Sequence, residues 1–264
     1  MNVEDELATL RRPAPAHLYG AILQAVDLAD AYTTIEGPLG PLYVAWSRHG
    51  VTACVPAAVV DGEAGFAERH HRPLHRTDPP PRIARPLARA VATGRPGRLP
   101  IDLGDLGEFS RAVLASCARI PPGEVRPYSW IATEIGRPAA VRAVGSALAR
   151  NPVPILVPCH RVVRADGHIG AYAYGSEMKR HLLEREGIDL AALAVTARRG
   201  VRFLGSDRTR VYCFPTCRHA LRIADAHRIA FRNVREAAAA GYRPCRHCRP
   251  PAAPSRPPTR RTGA

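Results

Sequence analysis

The chain has almost no lysine. Of its 38 basic residues all but one are arginine, and the single ammonium is Lys179. Arginine and lysine differ in hydrogen-bond geometry and in how far the pKa can be tuned, so one ammonium kept in an arginine background marks its position. Any run of about eighteen apolar residues is also missing, which excludes a membrane-spanning helix. The opening MNVEDELATL is acidic and lacks the apolar stretch of a secretory signal. These absences predict a cytoplasmic protein with no membrane partner. In a reducing compartment the seven cysteines are expected as metal ligands, nucleophiles or core residues, not disulfides. Acidic residues are scarce at one end: residues 195–264 carry 16 basic and 3 acidic side chains, against 22 and 20 in residues 1–194. The net charge of +15 therefore belongs to the C-terminal piece. That concentration suits nucleic acid phosphates, and a solvated basic tail would carry the same charge.

With 264 residues, 46% of them hydrophobic, the chain can bury one large core or two smaller domains. Residues 1–18 read as a loose leader. Residues 31–36, 40–47 and 50–56 read as short strands separated by glycine and proline turns, a small antiparallel meander. Residues 60–100 are proline- and histidine-rich, with a helix expected at 82–93. His70, His71 and His75 have no ligand spacing and are expected at the surface. From Leu106 the pattern sharpens. Phe109, Val113, Leu114 and Cys117 give a helical period over 108–119, and short helices follow at 129–136 and 139–150 across the Gly136-Arg137-Pro138 turn. Helix, tight turn, helix is the helix-turn-helix outline. In its second helix Val141, Val144 and Leu148 share an inward face. Ala139, Ala143, Ser146 and Arg150 lie opposite, and Arg142 sits well off the apolar stripe. A face of small side chains with an arginine at its margin can approach a narrow surface closely; an ordinary exposed alanine-rich helix has the same pattern. Residues 153–163 read as extended and proline-interrupted, residues 175–186 as a helix with Met178, Leu182 and Leu183 inward, and residues 191–200 as a polar link.

Cys159 is followed directly by His160 and Arg161. A thiol attacks as its thiolate and needs a base or a cationic neighbour at neutral pH. His160 can be that base, directly or through a water, with a carboxylate behind the imidazole to orient it.

Residues 109–187 resemble the catalytic domain of the O6-alkylguanine-DNA alkyltransferases. The resemblance rests on Ile120, Pro121, Gly123 and Tyr128, then Ile135 to Pro138, Arg142 to Gly145, Asn151-Pro152 and Pro158 to Val162. Gly170, Tyr172, Lys179, Leu182, Leu183, Glu186 and Gly187 complete the series. The meander, with Pro38 to Leu42, is similar to the family's small N-terminal domain. The resemblance implies that Cys159 accepts the alkyl group, that His160 deprotonates it through a water, and that Glu186 stands behind the histidine. It implies Tyr128 as proton donor to the leaving guanine, Asn151 as a brace below Cys159, and Tyr172 and Lys179 as residues holding the site. The carbonyls of Cys159 and Val162 would read the base's exocyclic amine, and a backbone N–H near Ala173 would meet its O6. The partner is double-stranded DNA carrying an alkylated guanine. Its base must be flipped out, with Arg142 filling the gap and Ala139, Ala143 and Ser146 set into the minor groove.

Cys213-Phe214-Pro215-Thr216-Cys217 and Cys245-Arg246-His247-Cys248 form a C-x3-C and a C-x2-C pair. Four thiolates at such spacing suit a tetrahedral zinc site, and a unit of about fifty residues needs such a staple. His219, His227 and His247 lie nearby but are redundant as ligands. No organic cofactor is called for. Residues 201–250 also resemble the Ada-type metal-binding domain, on Val211 to Cys213, Pro215, Cys217, Asn233, Val234, Ala240 to Cys245 and Cys248 to Pro250. That resemblance implies a second methyl acceptor, Cys213, acting on phosphotriesters of the DNA backbone; a module that only binds zinc and DNA is the other reading.

The expected architecture is an α/β N-terminal subdomain (19–105) with a small antiparallel sheet, ribonuclease-H-like by resemblance. A mainly α catalytic domain with a helix-turn-helix (106–190) follows, then the link (191–200), a small zinc-stapled α+β domain (201–251) and a disordered tail (252–264). The functional expectation is single-turnover repair of O6-alkylguanine by a monomer. The alternative is a zinc-dependent DNA-binding sensor of alkylation, which would need a promoter-reading domain that the residues do not reveal. Family members often have small residues after the tyrosine, whereas here the run is Tyr172-Ala173-Tyr174. A narrowed pocket mouth predicts much faster transfer of methyl than of benzyl; equal single-turnover rates on the two adducts would refute it.

Overall fold

A computed structural model describes residues 16–253, so most of the expected leader and tail lies outside the described residues. The chain divides into two compact units. One runs up to Ala92 and includes Pro96–Gly104; the other comprises Thr93–Arg95 and everything from Asp105 onward.

Among the described residues, the first element of this unit is helix α1 (Ala16–Ala25), which starts inside the stretch read as leader. Strands β1 (Asp30–Gly37), β2 (Gly40–Trp46) and β3 (Val51–Pro56) form the expected antiparallel meander. After helix α2 (Gly62–Arg69), a three-residue strand β4 (Leu74–Arg76) joins β1 in parallel. The sheet is thus mixed, in the order β3-β2-β1-β4, not purely antiparallel as expected. Three residues are too few to show an alternating pattern. Tyr32, Ala45, Ala53, Val55 and Phe66 form the core under this sheet. Helix α3 (Pro81–Thr93) buries Ile83, Leu87 and Ala90, one helical stripe.

His70 is not the surface residue expected. Its Nε2 lies 2.9 Å from Oδ2 of the fully buried Asp30, which also accepts a 2.7 Å hydrogen bond from Thr52 Oγ1 and pairs with Arg72 Nε at 3.3 Å. Burial alone would raise the Asp30 pKa; the His70 and Thr52 hydrogen bonds and the Arg72 charge outweigh it and hold it below the usual carboxylate value.

In the second unit, α4 (Glu108–Ala118) buries Val113, Leu114 and Cys117. A two-residue strand β5 (Arg126–Pro127) leads into α5 (Tyr128–Glu134), and α6 (Val141–Ala149) follows the turn. Val144, Ala147 and Leu148 of α6 face inward, while Val141, at the helix start, is only half-buried. The stretch expected to be extended is a folded loop, then one 3₁₀ turn at Cys159–Arg161, then strand β6 (Val162–Val163), parallel to β5. Helix α7 (Ser176–Arg185) buries Lys179 with Leu182 and Leu183, and Met178 is only half-buried. The polar link is in fact helix α8 (Leu190–Arg198), capped by Asp189. Its Leu190 and Leu193 pack with Val125, Val163, Leu183 and Ile188. Four alanines and two arginines hid an apolar stripe that needs only three positions.

The cysteine-rich segment forms a second four-stranded sheet. Its strands are β7 (Phe203–Ser206), β8 (Val211–Cys213), β9 (Arg228–Phe231) and β10 (Arg243–Pro244), in the order β10-β8-β7-β9, with short helices α9 (Arg218–Leu221) and α10 (Val234–Ala239). A Cβ on Gly205 would sit 2.7 Å from the rings of Phe231 and Tyr242; only glycine lets this aromatic pair close over the strand. Among the described residues no helix is long and apolar enough to cross a membrane.

Because Asp30 is ionised more readily when folded than unfolded, its contribution is complete above the ordinary carboxylate pKa and is lost as pH falls through the depressed folded value. Asp30→Ala is expected to cost about 3 kcal/mol by removing the buried acceptor that Thr52, His70 and Arg72 share. In urea melts that loss should be present at neutral pH and shrink in acid; an unchanged midpoint at pH 7 would contradict it.

Candidate active site and metal centre

The centre of the second unit is the turn Cys159–Arg161, packed between α4 and α7. The loop before it is clamped by one side chain. Asn151 Oδ1 accepts from Val153 N at 3.1 Å, while its Nδ2 donates to Val157 O at 2.9 Å and to Cys159 Sγ at 3.2 Å. Ile155, at the tip of this loop, has φ 72°, a left-handed conformation that β-branched residues rarely adopt and that the clamp must hold.

The three residues of the turn are buried. His160 Nε2 lies 2.8 Å from Glu186 Oε1. Its other nitrogen, Nδ1, is buried without a protein partner. Arg161 holds the same carboxylate: Nε lies 3.0 and 2.9 Å from its two oxygens and Nη2 lies 2.6 Å from Oε1. Nη1 donates to Ile120 O at 2.7 Å, and Nη2 also donates to Gly94 O at 2.6 Å. Gly94 has φ +62°, and a Cβ there would meet Arg161 Nη2 at 2.7 Å, so the site needs glycine. Gly123 N adds a 3.3 Å bond to Glu186 Oε2. Burial would raise the Glu186 pKa, but the His160 and Arg161 hydrogen bonds and charges bring it down to about 2. Glu186 is therefore ionised throughout the physiological range.

Around the sulfur the balance differs. Burial pushes the Cys159 thiol up, and the Asn151 amide, the Lys179 charge and the Tyr172 hydroxyl each pull it back without fully offsetting burial. Burial also lowers the His160 pKa against the pull of Glu186, which disfavours the charged imidazolium. Lys179 Nζ donates to Val162 O at 2.6 Å and to Ala171 O at 3.3 Å, and burial brings its pKa down to about 8. Val162 O, expected to read the base, is thus already a lysine acceptor and has one lone pair left. Tyr128, at the start of α5, is raised above the usual phenol value by burial and by nearby Cys159 and Cys117. Tyr172 and Tyr174 meet edge to face at 5.8 Å, with exposed Ala173 between them. Ala139, Arg142, Ala143 and Ser146 are all exposed.

The four cysteines Cys213, Cys217, Cys245 and Cys248 are buried, and their sulfurs lie within 4.8 Å of one another. Zn–S bonds of about 2.3 Å place tetrahedral sulfurs about 3.8 Å apart, so the set fits zinc. Mutual hydrogen bonding pushes the Cys213 thiol up and the Cys217 thiol down; a bound divalent cation would hold all four as thiolates. Cys213 and Cys245 open onto a cleft of 740 Å³ flanked by Arg208, Arg222, Arg243 and Arg246.

Residues 108–188 match the family described as 6-O-methylguanine DNA methyltransferase, DNA binding domain, and residues 195–251 match the metal binding domain of Ada. The methylated-DNA–protein-cysteine methyltransferase of Methanosarcina barkeri is 34% identical over 166 residues, covering 59% of this chain and 96% of that one. The chain belongs to the methylated-DNA–protein-cysteine methyltransferase family. The bifunctional transcriptional activator/DNA repair enzyme Ada of Escherichia coli is 34% identical over 167 residues, 61% of this chain and 46% of that protein. A crystal structure of Mycobacterium tuberculosis OGT in complex with DNA aligns at 33% identity and TM-score 0.48, over 63% of this chain and 98% of that one.

For a methylated-DNA–protein-cysteine methyltransferase, the structure brings Cys159, His160, Glu186, Asn151, Tyr128, Tyr172 and Lys179 into one site. Sequence reading left Arg161 without a role, although it is the main anchor of Glu186. Its place directly after the Cys-His pair was the available signal. Cys117, whose buried thiol lies near Cys159 and Lys179, was read only as core.

Lys179 carries its charge fully only below about pH 8. Lys179→Met should slow iodoacetamide alkylation of Cys159 by about tenfold at pH 7. The deficit should shrink above pH 8, where the wild-type ammonium loses its proton. Parallel pH profiles for the two proteins would exclude the electrostatic role.

Proposed function

We propose that the chain repairs double-stranded DNA by moving the alkyl group of an O6-alkylguanine onto Cys159, once per molecule. The observation that carries this reading is a buried thiol donated to by Asn151, adjacent in sequence to an imidazole whose far nitrogen is tied to an ionised carboxylate. His160 Nδ1 takes the thiol proton through a water, and Glu186 stabilises the imidazolium that results. Sγ attacks the alkyl carbon as the bond from that carbon to O6 breaks. The bonding pair goes to the guanine, which receives a proton from the Tyr128 hydroxyl. The product is a thioether at Cys159, which is not readily hydrolysed, so the protein is consumed.

The target atom lies within a stacked duplex and must be swung out to reach a buried sulfur. The exposed small residues Ala139, Ala143 and Ser146 suit close approach to the minor groove, and exposed Arg142 suits the vacated stack. Val162 O, Ala173 N–H, Tyr172 and Tyr174 would border the base. At the metal centre, Cys213 at the foot of an arginine-flanked cleft supports a second acceptor for a methyl phosphotriester, the flanking phosphates being held by the arginines. Bound zinc would keep the sulfurs ionised at neutral pH.

Peptide mass spectrometry after exposure to methylated duplex DNA tests both acceptors. A mass increase of one methylene is expected on the Cys159 peptide and is abolished in Cys159→Ala. His160→Ala should slow it by about 10²-fold or more. A second such increase is expected on the Cys213 peptide and absent in Cys213→Ala. DNA binding with no methyl on either peptide would favour the sensor reading instead.

A further inference from the structure

The cysteine-rich module does not hang from a tether. It grips the chain at the start of β5, the strand paired with the one that follows the Cys159 turn. β5 is only two residues long, and one of its edges is taken by β6 in parallel, Arg126 opposite Val162 and Pro127 opposite Val163. β6 is the direct continuation of the Cys159–Arg161 turn. Just before β5, the chain is gripped by the loop between Cys213 and Cys217. Val125 N donates to Thr216 Oγ1 at 2.9 Å, and Thr216 Oγ1 donates back to Val125 O at 3.4 Å. A single hydroxyl therefore takes the place of a strand partner.

Glu124, 3% exposed, fastens the same point. One oxygen faces His247 Nε2 at 2.8 Å and the Arg218 backbone N–H at 3.3 Å; the other accepts from Arg126 Nη2. Glu124 also lies within 4.8 Å of the Cys217 sulfur. The guanidinium of Arg126 is buried between the rings of Phe214 at 5.3 Å and Trp130 at 5.8 Å. The second cysteine pair holds α5. Trp130 Nε1 donates to Arg249 O at 3.1 Å, and Arg249 lies over the Trp130 ring and pairs with Glu134 at 2.5 Å. Tyr128 lies between these grips, at the junction of β5 and α5.

We infer that the metal-folded module is a positioning element for alkyl transfer at Cys159. Glu124 and Thr216 are the residues that pass the order of the four-cysteine centre through β5 to Tyr128, β6 and the Cys159 turn. Neither touches the reacting atoms; both act on where those atoms stand. A β pair this short supplies little order of its own. A buried carboxylate that loses two of its three partners, His247 and the Arg218 N–H, is costly, so loss of the metal loosens the strand next to the catalytic turn. The inference rests on the Cys159 reading for its kinetic consequence but not for its structural one.

The test uses the full chain. Amide hydrogen exchange is compared for zinc-loaded and chelator-stripped protein, and again after zinc is restored. Stripping should speed exchange at residues 124–128 and 160–163, and restoring zinc should reverse it. Glu124→Gln and Thr216→Val, each verified to hold one zinc, keep the module folded. Their single-turnover transfer to Cys159 from O6-methylguanine duplex should be about tenfold slower with DNA affinity within twofold of wild type. Unchanged exchange in both segments after stripping would overturn the inference, as would wild-type transfer rates in both zinc-loaded variants. A wild-type chain that never alkylates Cys159 would overturn the repair reading alone, since the exchange result stands without it.

Discussion

The carboxylate of Glu186 is the fixed point around which the second unit is organised. It accepts from His160 on one side and from the fully buried Arg161 on the other, with Gly123 N closing the set. Placing a negative charge there without those partners would be prohibitive. With them, it stays ionised and fixes the orientation of the imidazole. Arg161 in turn needs the Ile120 and Gly94 carbonyls and the missing side chain of Gly94. A proton-transfer geometry at one cysteine thus depends on backbone far away in sequence.

The environment of Cys159 is a compromise between reactivity and access. Burial disfavours the thiolate, and Asn151, Lys179 and Tyr172 oppose that only in part. On the proposed reading, that balance keeps the thiol protonated until a substrate fills the site. At the four-cysteine centre a divalent cation would hold all four sulfurs as thiolates. Both strategies meet across one short strand, so the two modules of this unit share their order as well as a chain.

Much of the site was legible before any coordinates. The Cys159-His160 pair, the lone lysine and the two cysteine pairs are chemically unusual residues at definite spacings, and composition exposes them. The helices over 108–118 and 141–149 were legible because their apolar residues recur at helical period. The structure corrected the weaker signals. The polar link is helix α8, because three buried positions suffice to anchor a helix in an alanine-rich background. The proline-interrupted run at 153–163 is folded by Asn151, whose hydrogen bonds to residues two to eight positions away leave no periodic trace.

The sequence by itself determined which atoms can do chemistry: one sulfur beside an imidazole, four sulfurs paired for a metal, and arginine charge gathered at one end. These are local facts, carried by residue identity and spacing. Tertiary structure alone decided that Arg161 joins His160 on Glu186, 25 residues away, and that Glu124 reaches His247 across 123 residues. It also decided that His70 lies against Asp30 in the other unit. The reason is physical. A charge can be buried only where distant segments deliver its partners to the same point, and no local pattern records where distant segments meet.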